Sequence, residues 1–134
     1  MTTLANVAAA LRDRFDTETG SLPTAWDNQE FEPADITGVS WARFVVQFNE
    51  TDRITLGDSA RFRQQGLAIA QVFTKKDRGD DAGWTWADTI VNAFRAKKFS
   101  GVVTRSPWAE RIGDTQDGWW QINVFIPFYS DATT

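Results

Sequence analysis

The sequence predicts an α+β domain, in which two helices pack on one face of a mostly antiparallel sheet of four to five strands. The expected order is helix, hairpin, helix, hairpin. Residues 118–129, GWWQINVFIPFY, alternate so that Trp120 to Phe128 form an apolar row on one side. Apolar residues in two other stretches recur at helical spacing instead. The 134 residues suit a single domain, 1–134, because domains commonly have about 100–150 residues.

The first third of the chain predicts a helix followed by two strands. The helix runs from about Thr3 to Glu18 and carries its apolar residues on one stripe. Residues 21–38 are rich in acids and turn formers, which favours an extended segment with a short strand near Ala25 and Trp26. Residues 41–49 alternate as a strand. The core side of that strand carries Phe44, Val46 and Phe48, and the other side carries Trp41, Arg43, Val45 and Gln47.

The middle of the chain predicts a projecting arm and a long strand. Residues 50–60 are charged and too long for a tight turn, so we interpret them as a hairpin arm. A strand from about Arg61 to Lys75 follows. Its segment LAIAQVF is apolar on both faces, which predicts that both faces are covered.

The last part predicts the second helix and the second hairpin. The helix runs from roughly Ala82 to Lys98, with Asp80 or Asp81 at its start and two lysines, Lys97 and Lys98, beside its last carbonyls. The apolar stripe of this helix contains Trp84, Ala87, Ile90, Val91 and Phe94. Strands at about Val102–Trp108 and Trp119–Tyr129 are joined by a loop containing Gly113, Asp117 and Gly118. Pro107 predicts an edge or a bulge there, and we expect the tail SDATT to be frayed.

Composition argues against catalysis and against several kinds of binding. The chain has no Cys and no His, which removes disulfides, zinc-finger sites and the usual general base near pH 7. Two pairs of carboxylates, Asp80 with Asp81 and Asp114 with Asp117, are explained by capping and turn formation. We therefore predict no enzyme, no catalytic residue, no metal and no cofactor. The net charge of −4 and the lack of a basic stripe argue against direct nucleic-acid binding.

The N-terminal residues MTTLANVAAA have no basic region, which predicts neither a signal peptide nor a membrane span.

The second side of the last strand is half aromatic, since it carries Trp119, Gln121, Asn123, Phe125, Pro127 and Tyr129. Such a face is neither ordinary surface nor ordinary interior. We interpret it as a contact with a partner subunit; simple exposure and a sugar-stacking platform are the alternatives. Arg61 and Arg63 project to one side and, with Arg43, predict a small basic patch on this face. The alternative is that these arginines pair with nearby acids.

Several stretches together resemble the tail terminator proteins of long-tailed bacteriophages. The resemblance starts with TLANVAAALRDRFDT and WARFVVQF and is clearest in LGDSARFRQQGLAIAQVF. It continues through WADTIVNAFRAKKFSG and GWWQINVFIPF, and so covers nearly the whole chain.

The resemblance implies a structural virion protein of the tail, assembled in the bacterial host cytoplasm. Members of this family form a hexameric ring that caps the tail tube, stops its polymerisation and joins it to the head connector. DNA would pass through the ring without specific binding, and no membrane is involved. Within the same class, another neck, head-completion or minor tail protein is an alternative. A carbohydrate-binding module that uses Trp26, Trp41 and Trp119 is an alternative of a different class.

Two sets of contact residues follow when the resemblance is combined with the half-aromatic face and with the length and polarity of the arm. The predicted subunit interface contains Trp41, Arg43, Arg61, Arg63, Trp119, Gln121 and Phe125. The predicted loop that contacts the tube or the connector contains Glu50, Asp52, Arg53, Leu56 and Asp58. The acidic residues 27–35 match no motif of the family, and we place them, as a hypothesis, along the lumen of the ring, where they would repel phosphate.

Overall fold

Two helices and a seven-stranded sheet make up the part of the chain that the structure, a computed structural model, describes. That part is residues 3–20, 22–32, 40–55, 60–77, 79–115 and 118–133. The elements are α1 (Leu4–Thr19), β1 (Thr24–Trp26), β2 (Ser40–Arg53), β3 (Arg61–Lys75), α2 (Asp81–Phe94), β4 (Lys98–Phe99), β5 (Val102–Thr104), β6 (Trp108–Asp114) and β7 (Trp119–Thr133). The sheet order is β1-β2-β3-β7-β5-β4, and β6 also pairs with β7. Every pairing is antiparallel except that of β1 with β2.

The predicted class is confirmed, but the predicted strand number and element order are wrong. Two short strands, β4 and β5, form an unpredicted hairpin after α2. The strand predicted over Val102–Trp108 is interrupted at residues 105–107, and the residues predicted as a loop around Gly113 form β6. Strands of two or three residues carry too little alternation to be recognised. In β6 the alternation is broken by a register shift between Arg111 and Gly113.

Helix α1 has the predicted bounds to within one residue, because local signals define both ends. Thr3 is the N-cap, and its Oγ1 accepts a hydrogen bond from the Asn6 amide at 3.1 Å. Gly20 ends the helix with a φ of +53° and donates its amide to the carbonyl of Asp16. The buried side of the helix carries Val7, Leu11 and Phe15.

Helix α2 ends at Phe94, four residues before the predicted Lys98. The buried Thr104 explains this end, since its hydroxyl donates to the Phe94 carbonyl and accepts from the Lys97 amide at 3.0 Å. The chain therefore turns into β4, and the lysines do not serve as helix-terminal cations.

Two smaller predictions for α2 are each wrong for one residue. Trp84, placed on the apolar stripe, is exposed, and Gly83 is buried instead. Asp80 makes no side-chain cap; its carboxylate accepts from Trp84 Nε1 at 3.2 Å.

The core lies between the helices and one side of the sheet, which we call the inner face. Alternate residues of β2, β3 and β7 contribute to this face, and Phe15 stacks on Phe44 with ring centroids 4.5 Å apart. The predicted inner row from Trp120 to Phe128 is confirmed, because its alternate residues from Ile122 onward are buried and Trp120, half-buried, packs against the core.

The strands are much longer than the helices. The 15 residues of β3 extend about 50 Å, whereas the 16 residues of α1 extend about 24 Å. Beyond Gly66 the strands β2, β3 and β7 therefore continue past the core, as far as the pairs Arg53–Phe62 and Arg61–Thr133. We call this part the overhang. Ser130 to Thr133 of the tail that was expected to be frayed belong to it, since β7 pairs with β3 up to Thr133, and Thr134 lies outside the described residues.

A candidate subunit interface on the outer sheet face

The side of the sheet opposite the helices, here the outer face, carries a continuous apolar row. The register places Val45 beside Ile69, Ile69 beside Phe125, and Phe125 beside Trp108. These residues belong to four different strands and form a stripe across the sheet. Phe125 stacks on Trp108 with ring centroids 5.2 Å apart. Leu67 and Pro127 lie in the next row and widen the stripe.

None of the described helices covers this apolar row. Both helices pack into the cluster on the inner face, and the row does not contribute to that cluster. Trp108 is 45% exposed, and the other members are half-buried by their neighbours in the sheet. The prediction that LAIAQVF is covered on both faces is therefore wrong within this chain for Leu67 and Ile69, which are half-buried, but it is confirmed for Phe73, which is buried. Contiguous exposed apolar surface of this kind is typical of an interaction site.

The predicted interface residues do not all lie in one place. Phe125 is in the apolar row, and Trp119 and Gln121 lie on the outer face towards one end of β7. Ile69 and Trp108 were missed. The continuous apolar run around Ile69 was the available signal, whereas Trp108 joins the row only through the unpredicted strand β6.

An aromatic cluster occupies one end of the outer face. Trp41 is 4% exposed and is stacked between Phe31 and Phe73, with centroid distances of 5.0 and 4.2 Å. The rings of Trp119 and Trp41 are nearly perpendicular, with centroids 5.9 Å apart. Both ring faces of Trp41 are in contact with other rings of the same protomer. Trp41 therefore has no ring face left on which a sugar could stack. Trp26 packs in the core against Phe15 and Phe44, so the geometry does not support the carbohydrate platform.

A cleft of about 780 Å³ opens beside this aromatic cluster. Its aromatic floor is formed by Trp41, Phe73 and Trp119, and the cations Arg43 and Lys75 lie along its lining. The guanidinium of Arg43 lies 5.7 Å from the centroid of Trp41. Glu32, Gln71 and Gln121 add polar groups to the lining. The cleft therefore combines an apolar floor with hydrogen-bonding and charged groups.

The other end of the outer face carries an ion-pair cluster. The guanidinium of Arg63 donates two hydrogen bonds to Asp131, at 2.8 and 3.1 Å, and Arg61 lies 3.6 Å from the same carboxylate. Arg63 also lies over the Tyr129 ring, 4.0 Å from its centroid. The hydrogen bond from Arg63 lowers the pKa of Asp131 below its ordinary value of 3.8, and the same bond raises the pKa of Arg63.

The predicted basic patch of Arg43, Arg61 and Arg63 does not exist. Arg43 is paired with Gln71, whereas Arg63 is eight residues earlier on β3, about 26 Å away. Arg61 and Arg63 pair with a local acid, as the alternative held. Asp131 was missed because it lies in the tail that was expected to be frayed.

The ion pair predicts that Asp131→Asn changes how the free energy of unfolding depends on pH in acid solution. Because the folded-state pKa of Asp131 is lowered, its contribution is present above the ordinary carboxyl pKa and is lost as the pH falls through the folded value. Urea unfolding of the wild type should therefore show that the free energy of unfolding falls between about pH 5 and pH 2. The variant should lack the part of this fall that comes from Asp131. The effect should be small because the pair is partly exposed. Parallel pH profiles for the two proteins would contradict the assignment.

The residues predicted as a contact loop have a different structure from the one expected. Glu50, Asp52 and Arg53 lie within β2, and Asp52 accepts a hydrogen bond from Gln65 Nε2 at 3.1 Å. These contact residues are therefore strand and not loop, whereas the hairpin arm predicted over residues 50–60 is confirmed as far as Arg53, which pairs with Phe62. Leu56 and Asp58 lie outside the described residues.

Other candidate sites gain no support from the geometry. Asp80, Asp81 and Asp114 are exposed, and Asp117 lies outside the described residues. Within the described ranges, no group of three or more Asp or Glu residues could hold a metal ion. No helix in those ranges has both the length and the hydropathy needed to cross a membrane.

Comparison with known proteins identifies the family of this chain. A family model described as phage tail terminator protein matches residues 6–128. The chain belongs to the phage tail terminator family. It is therefore a structural component of a phage tail, in a family of structural proteins, and membership implies contact with tail and head components in the virion.

Comparison with individual proteins adds information on the fold. No curated protein matches the chain. A solved structure with 20% sequence identity is similar to this chain, with a TM-score of 0.66. The match covers 98% of this chain and 97% of the other chain. At this identity the likeness shows a shared fold over the whole length.

Proposed function

We propose that copies of this tail terminator protein associate through the outer face into a ring, expected to be a hexamer. The ring caps the tail tube, stops its polymerisation and joins the tube to the head connector. The apolar row of Val45, Ile69, Phe125 and Trp108 is the observation that carries the proposal. Its burial by a neighbouring copy would remove apolar surface from water at about 25 cal/mol per Å².

Family membership favours a ring over a simple pair. A protein that caps a tube has to match the rotational symmetry of that tube, and a ring forms when each copy presents one patch to a different patch of its neighbour. A face-to-face pair would bury the same row, so the mass of the assembly distinguishes the two arrangements. The chain is acidic overall, which suits passage of DNA through the ring without specific binding.

Two measurements test the ring. Light scattering coupled to size-exclusion chromatography should give a mass of six copies, either for the protein alone or after mixing with the tail tube. Lysates of phage lacking the protein should contain tubes longer than normal, and the wild-type protein should restore their length. A dimer under both conditions, or normal tubes in its absence, would reject the proposal.

The tip of the β2–β3 hairpin is proposed to contact the tube or the connector, through the residues around Arg53 and those predicted at Leu56 and Asp58. The overhang that carries this tip is a paired structure, since Ile54 donates its amide to the Arg61 carbonyl at 2.9 Å. A contact at the tip would thus be held at a fixed distance from the body of the subunit.

Replacing residues 56–59 with Asn-Gly should separate termination from folding. A short turn can close this hairpin, so the variant should keep the thermal stability and the oligomeric mass of the wild type. It should fail to restore tube length in phage lacking the protein. Restoration of normal tubes by this variant would show that the tip is not the contact.

A further inference from the structure

Two clefts of opposite charge lie on different surfaces of this chain. The first is the outer-face cleft beside Trp41, whose lining contains Arg43 and Lys75. Neither cation forms an ion pair with another described residue, and Glu32 supplies the one carboxylate among the described residues of the lining. This cleft is therefore cationic along an aromatic floor.

The second cleft lies between α1 and the end of β1, and we call it the acidic cleft. It has a volume of about 470 Å³ and is lined by Arg12, Asp13, Asp16, Trp26, Asp27, Asn28 and Gln29. Its three carboxylates outnumber its one guanidinium, and they form no ion pair with another described residue. The nearby Arg14 is engaged elsewhere, since its Nε donates to the Ala93 carbonyl at 3.0 Å.

The two clefts belong to opposite layers of the molecule. Arg43 and Lys75 are on the outer face, whereas Asp13 and Asp16 project from a helix packed on the inner face. Contact between equal surfaces of two copies would bring like charges together, which disfavours that contact. Contact between the two different clefts brings opposite charges together, and it leaves one cleft free on each copy, the acidic cleft on the first and the cationic cleft on the second. Such a contact can repeat from copy to copy and close into a ring.

We propose that the cationic cleft of one copy binds the acidic cleft of a second copy, so that charge fixes a head-to-tail orientation. This rests on the proposed ring and specifies which two surfaces meet in it. The apolar row, on the same face as Arg43, supplies buried area, and the charged clefts select the orientation. The contact places Asp27 between subunits, whereas the lumen hypothesis placed it along the DNA path.

Charge reversal tests the proposal. Arg43→Glu with Lys75→Glu should weaken association at least about tenfold, and Asp13→Lys with Asp16→Lys should do the same, because each brings like charges together. Mixing these two variants should restore association, since each reversed cleft then meets its complement on the other variant. A chain carrying all four substitutions should also associate like the wild type. Analytical ultracentrifugation over a concentration series, with and without the tail tube, measures this.

A matched control and the contrary outcomes separate this proposal from the ring itself. Lys98→Glu with Asp88→Lys reverses exposed charges elsewhere and should leave association unchanged. If the wild type forms rings but the reversals have no effect, or the mixture is not restored, the acidic cleft meets the lumen or another protein and this inference is overturned. If the wild type stays monomeric even with the tube, the ring proposal fails, and the inference fails with it.

Discussion

Phe125→Glu should leave a folded monomer that no longer assembles. Phe125 lies at the centre of the apolar row, between Ile69 and Trp108, and is half-buried within the protomer. A carboxylate there faces water in the monomer, so the free energy of unfolding should fall by only about 1 kcal/mol. In the ring the same carboxylate would be buried without a partner, which costs far more than the lost contact.

Light scattering should therefore show a monomer at concentrations where the wild type forms rings, with a circular dichroism spectrum like that of the wild type. The variant should fail to restore tube length. Ile112→Glu is the matched control, because Ile112 is 47% exposed and lies outside the row, so this variant should assemble normally. Assembly of the Phe125 variant into rings would remove the outer face from the interface.

Gly66→Ala should destabilise the chain by about 3 kcal/mol, at the upper end of what overpacking usually costs. A Cβ at this position would lie 2.5 Å from the carbonyl oxygen of Gln47 and would overlap the ring of Phe128. Gly66 faces Phe48 in β2, just before the register shift, so the strands approach closely here. A backbone oxygen in a paired strand cannot rotate away, and the strands would have to separate.

Thermal unfolding should show a midpoint lower by roughly 10 °C. Gly83→Ala provides a graded comparison, because its new Cβ would lie 2.9 Å from the far end of the half-buried Trp120 side chain. That ring can shift, and alanine also favours the helix by about 1 kcal/mol over glycine. The Gly83 variant should therefore lose much less stability. Equal stability of the two variants would contradict the close strand approach at Gly66.

Sequence patterns predicted those parts of the fold that depend on neighbours along the chain. Thr3 and Gly20 define α1 through contacts within four residues, and the alternation in β7 shows which residues face the core. The end of α2 depends instead on Thr104, ten residues beyond Phe94, so helix propensity up to Lys98 was misleading. Tertiary contacts of this kind override local preference.

The candidate interface was predicted in part for the same reason. The period of two correctly placed Val45, Trp119 and Phe125 on the outer side. Which of those residues are neighbours depends on the register between strands that are far apart in the sequence. Without that register, the sequence could not show that Arg43 and Arg63 lie far apart on the sheet, or that Trp108 lies beside Phe125.

The overhang has a consequence for how attachment could be observed. Its strands lie outside the core cluster that the two described helices cover, so their amide hydrogens should exchange through local opening at a lower free energy than global unfolding requires. Docking on the tube would lay a second protein across this end. The slowing of exchange there, while the helix-covered half stays unchanged, would then report the moment at which the subunit engages its particle.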